Sequence, residues 1–184
     1  MRASAKLGVD VTAALAAILC GAALAPSADE QGACVLLTGA DSVIGQPRVV
    51  LVTAPQEWAS LWLEHRGLPE DARYDFFFNR AGVPEVDFAT HVVVAVFSGS
   101  LTNAAGLKLD ALETAEGRTT LRYAAKSYQT LVEPGAEAAA ARPFGLFVVP
   151  RFEGPLQVEE QLYSMLGPSR VEARASFPTP PAPK

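Results

Sequence analysis

The segment from Thr53 to Gly67 constrains the fold most, because both of its ends are marked. Thr53 followed by Gln56 has capping-box spacing, and Pro55 falls in the first turn, where its missing N–H costs nothing. Gly67 stands where a C-terminal cap belongs, so the spacing predicts a helix over Pro55 to Arg66. Trp58, Leu61 and Trp62 follow at i, i+3, i+4, with Glu57, Ser60 and Glu64 elsewhere, so one face presents two indoles. A face of that kind needs a layer to rest on. Trp58, Leu61 and Trp62, together with Phe88, are read as structural core.

Strand-like runs supply that layer. Cys34 to Leu37 and Arg48 to Thr53 are short β-rich stretches separated by Gly39, Asp41, Ser42, Gly45 and Pro47. His91 to Ser98 is nearly continuously apolar, and Phe144 to Val149 is an apolar strand ending at Pro150. Gly106 to Leu112 and Arg118 to Ala125 alternate around a turn at Glu116 and Gly117, which gives the sheet a wet side. Leu156, Val158 and Leu162 suggest a last strand or a short helix. Turns of the hairpin type, without crossover helices, predict an α+β domain: a mainly antiparallel sheet with one tryptophan-bearing helix packed on it.

Two longer connections interrupt this pattern. Leu68 to Pro84 carries Tyr74, Phe76, Phe77 and Phe78, aromatics enough to pack down on the domain, and Ser127 to Arg142 reads as a loop with a helical turn. From Pro168 onward the chain turns polar, and Phe177 to Lys184 holds Pro178, Pro180, Pro181 and Pro183, a polyproline-like tail. The expected organisation is a domain over 34–166 and a proline-rich tail over 167–184.

Ahead of the domain, Arg2 and Lys6 precede an apolar run from Val11 to Ala25 and small residues through Ala28. That is the layout of a secretory signal over 1–28, and the run is shorter than the roughly 20 residues of a membrane span. An exported location is therefore expected, whether periplasmic, envelope-associated or secreted. A membrane enters only if Cys20 is lipidated or the segment stays uncleaved. Removal of the segment would leave Cys34 as the sole thiol, so no intramolecular disulfide staples the domain. Net charge is −5 with scattered basic residues, which argues against nucleic acid as a partner.

No catalytic or cofactor motif stands out. The chain has 2 histidines, His65 at the end of the predicted helix and His91 at the head of a strand, and neither lies in a metal or hydrolase motif. Glu85 and Asp87 flank Val86 as a carboxylate pair, but that position before a strand suits a turn. Neither a metal, a cofactor nor enzymatic activity is expected.

Three short motifs do carry a resemblance. They are P-Q-E-W-A-S-L-W from Pro55 to Trp62, P-E-V-D-F from Pro84 to Phe88 leading into V-V-V-A-V-F, and R-P-F-G-L-F-V-V-P from Arg142 to Pro150. In this order they resemble the domain named for the C-terminal part of the protease-complex subunit PrcB. The resemblance implies an exported, non-catalytic role in binding or chaperoning a protein partner, such as a secreted protease. Many such domains have Gly-Gly-Tyr after the first long strand, where this chain reads Ala105, Gly106, Leu107. A contact surface is accordingly expected from the loop Gly99 to Gly106 and the segment Arg142 to Phe144, with Gly106, Leu107, Arg142, Pro143 and Phe144 as its residues. The other reading of the same residues is that Gly106 serves a hairpin and Phe144 begins a core strand. Alternative functions are direct inhibition of a protease and small-molecule binding.

Overall fold

The strand His91–Ser98 (β3) shows how the domain is layered. Its Val92, Val94 and Val96 point into one cluster of buried side chains, while Val93, Ala95 and Phe97 point into another. A strand covered on both faces has no polar side, which is why its sequence is an unbroken apolar run. A computed structural model of the chain describes residues 32–69, 82–128, 140–164 and 167–182. In it β3 is an inner strand of a four-stranded antiparallel sheet in the order β1-β8-β3-β2, formed with Cys34–Gly39 (β1), Pro47–Val52 (β2) and Phe144–Pro150 (β8). The helix Pro55–Arg66 (α1) lies on one face of this first sheet.

A second four-stranded sheet covers the other face. It comprises Ala104–Ala115 (β5), Arg118–Ser127 (β6), Leu156–Leu162 (β9) and Arg170–Phe177 (β10), in the order β10-β9-β6-β5. Leu107, Leu112, Leu121, Tyr123, Leu156 and Val158 meet Val92, Val94, Phe147 and Val149 between the sheets. The outward positions are charged: Arg122 pairs with Glu159 at 3.0 Å and Lys108 with Asp110 at 2.8 Å. A two-stranded ribbon, Leu101–Thr102 (β4) with Ala140–Ala141 (β7), stands at one end.

The expected fold class needs correction. The structure is mainly β, with two stacked four-stranded sheets, a ribbon and one helix, in place of a single sheet carrying a helix. Alternation in β5 and β6 shows that each has one wet face, but it does not say which sheet holds them. These strands cannot sit beside β3, whose two faces are both dry, and they form their own layer instead. Antiparallel pairing is not universal either, since β6 and β9 run parallel. The chain between them passes through β7 and β8 of other sheets, so β9 enters the second sheet in the same direction as β6.

The polar stretch assigned to the tail also differs. Arg170–Phe177 pairs antiparallel with β9, and Arg174 reaches Glu160 at 2.6 Å and Glu172 at 2.9 Å. Charge pairing between neighbouring strands makes a polar edge strand tenable. The segment 1–28, the aromatics Tyr74 and Phe76 to Phe78, and most of the Ser127 to Arg142 loop lie outside the described residues.

Helix α1 has the expected bounds, with Gly67 in the left-handed conformation at φ 66°. Its start is built differently, because Ala54 is the N-cap and the Glu57 carboxylate, in place of Gln56, reaches back to accept the Thr53 N–H at 3.0 Å. Trp58, Leu61, Trp62 and Phe88 are all buried against the first sheet, and the Trp58 indole N–H donates to the Pro84 carbonyl at 2.8 Å. No helix among the described residues is long and apolar enough to cross a membrane.

Candidate functional site

At one end of the first sheet, the turn after β1, the C-terminus of α1 and the residues before β8 converge. Backbone bonds hold them: Arg142 N–H donates to Ala40 O at 2.9 Å, and Val43 N–H donates to His65 O at 3.1 Å. The Arg142 guanidinium donates to the Val43 carbonyl at 3.3 Å, and Arg66 pairs with Asp41 at 3.4 Å on the surface.

Beneath this rim lies a buried polar pair. Ser42 Oγ is 2.9 Å from His65 Nδ1 and accepts the Ile44 N–H at 3.1 Å. The serine hydroxyl, with one proton and two lone pairs, satisfies both the Ile44 amide and Nδ1. The ring is packed among Phe144, Trp62 and Phe97, with centroids 4.2, 5.6 and 5.8 Å away, and Nε2 has no hydrogen-bond partner among the described residues. Burial holds the His65 pKa below its ordinary value; the adjacent Arg66 charge lowers it further and Asp41 opposes both.

A serine beside a histidine invites comparison with an activated nucleophile. Here Ser42 is buried and its oxygen accepts from a backbone amide, while the His65 ring is buried among aromatic side chains. The pair works as a clasp between the turn and the helix. Among the described residues, no group of three or more His, Cys, Asp and Glu could hold a metal ion.

The expected contact residues are brought to this same end, in two classes. Thr38 Oγ1 of β1 accepts the Leu107 N–H at 2.8 Å and lies within donating distance of Leu107 O and Phe144 O, at 2.6 and 3.1 Å. This stitch joins the edges of the two sheets. Gly106 is required next to it, at φ 135°, because a Cβ would overlap Thr38 Oγ1 and fall 2.9 Å from Gly39 N. Leu107, Pro143 and Phe144 are buried, and the Pro143 carbonyl accepts the Ser98 N–H at 3.0 Å. Only Arg142 is exposed. Thus Gly106, Leu107, Pro143 and Phe144 are scaffold, and Arg142 belongs to the surface.

Two exposed apolar residues lie on segments that adjoin Arg142. Val43, 47% exposed, is the residue whose carbonyl the guanidinium grips, and Leu101, 37% exposed, pairs in the ribbon with Ala141 next to Arg142. Sequence reasoning missed Val43, Ser42 and the role of His65. Ser42 and His65 are 23 positions apart, and no local pattern joins them. No family model, no curated protein and no solved structure matches this chain.

Proposed function

We propose that the chain is an exported, non-catalytic binding module whose partner is a protein, engaged at the rim formed by Val43, Leu101 and Arg142. The observation that carries this reading is the rim itself. Val43 and Leu101 stand in solvent on segments that adjoin Arg142, and the Val43 turn is pinned from below by the Ser42–His65 clasp. Apolar residues beside an arginine on a rigid support are the composition of interface hot spots. The resemblance of Pro55 to Trp62, Pro84 to Phe88 and Arg142 to Pro150 to the PrcB-type domain favours the same class of role, with a secreted protease as the kind of partner.

The reading is tested with a Val43→Asp/Leu101→Asp double variant of the full chain, produced in its native host beside the wild type. The variant should keep its melting temperature and lose at least about tenfold in affinity for a protein that the wild type retains stoichiometrically. Equal retention by both would remove the rim from the account.

A further inference from the structure

The opposite end of the first sheet holds a groove that the chain's own tail borders. It has a volume of about 710 Å³ and runs between Pro55 to Glu57 at the start of α1 and Asp87 to Ala89 before β3, and Pro181 and Ala182 of the chain's own tail line its remaining side. After Phe177, which packs against the core between the sheets, the proline-rich segment turns back across this end.

Arg151 is the residue that receives it. Its Nε donates to Phe88 O at 2.9 Å, Nη2 to Thr53 O at 3.3 Å and Nη1 to Pro181 O at 2.7 Å. The first two bonds fix the guanidinium in the wall of the groove, so the third donor is aimed before the tail arrives. A proline-rich segment offers carbonyls and almost no N–H groups: Pro178, Pro180, Pro181 and Pro183 donate nothing. A site for such a segment must therefore supply donors and apolar contact without a strand ladder, and an oriented guanidinium beside Pro55 and Phe88 does so. The seated residues are only lightly held, since Pro181 and Ala182 remain exposed.

We infer that this groove, with the Arg151 donor in its wall, is a receptor for proline-rich extended segments, and that the free chain engages that donor with its own tail. The tail then acts as a competitor in cis, and a partner presenting a proline-rich segment of the same chemistry displaces it. A tethered segment experiences an effective concentration on the millimolar scale, so docking in cis needs only millimolar affinity.

The test uses the full chain, isotope-labelled for amide NMR, and a synthetic peptide with the sequence of residues 176–184. A Pro178→Ser/Pro180→Ser/Pro181→Ser variant keeps the residue-181 carbonyl but loses the preset extended backbone, so its tail docks more weakly, and the added peptide should shift the Glu57, Asp87 and Ala89 amides saturably, with a midpoint of ~1 mM. Wild-type protein, its tail engaged on Arg151, should need roughly twofold more peptide for the same shift. Should the triple variant lose its melting transition, Pro181→Ser alone carries the same titration. A triple variant whose amides do not move, a wild type that responds equally, or a Gly-Ser peptide of equal length that shifts the same amides would each overturn the proposal.

Discussion

The two four-stranded sheets share one core but differ in what their outer faces are for. The first is dry on both sides, with α1 and the aromatic cluster of Trp58, Trp62, His65, Phe97 and Phe144 on one face and the second sheet on the other. The second sheet is dry on one side only and carries ion pairs such as Arg122–Glu159 on the other. Side chains of the first sheet and its turns are therefore coupled to much of the fold, whereas those on the wet face answer mainly to solvent. The proposed binding rim lies where the tightly coupled sheet ends, and its exposed residues rest on ones that cannot move independently.

Substitutions should separate these regions by size of effect. Phe144→Ala removes a ring buried between α1 and the first sheet, and should cost about 3–5 kcal/mol in denaturant unfolding. Gly106→Ala forces a side chain into the Thr38 stitch at a positive φ, and should cost about 1–3 kcal/mol. A comparable loss from Arg122→Ala, whose partially exposed pair is worth at most about 1 kcal/mol, would break the comparison. Arg142→Ala should also stay near or below about 1 kcal/mol while weakening partner binding, because it loses one surface bond to the Val43 carbonyl.

Acid should act at the clasp. His65 has a lowered pKa in the folded state, so the unfolded chain takes up its proton first as pH falls. Its contribution is fully present above the unfolded value of about 6.5 and is lost as pH falls below it toward the folded pKa. The groups around the ring are Asp41 and Arg66, with Arg142 gripping the adjoining turn. Melting temperatures measured from pH 7.5 down to 5 should fall in the wild type, and the part due to His65 should be missing in His65→Gln. Identical slopes in the two proteins would exclude the imidazole as the cause.

Much of this architecture was legible where the chain carries local marks. Helix α1 was bounded by Pro55 and Gly67, and β3 and β8 by their apolar runs. What was not legible depends on long-range partners. Alternation in β5 and β6 fixes their faces but not their sheet, and β10 looks like tail until Glu160 of β9 is set against Arg174. At the candidate site Arg142 was visible, but Phe144 after Pro143 fits an interface anchor and a core strand equally well on sequence. Its 4.2 Å approach to the His65 ring, together with its burial, assigns it to the core. Ser42 read as turn punctuation because its partner comes from another element.

The most direct test of the binding rim is site-specific photocrosslinking of the full chain in its native host. A photoreactive residue is placed at Val43 or Leu101, and for comparison at Val171, which is 45% exposed on the edge of the second sheet. One discrete protein adduct is expected from Val43 and from Leu101, suppressed by Arg142→Glu, and none from Val171. The same adduct from all three positions, or adducts from Val171 alone, would contradict it.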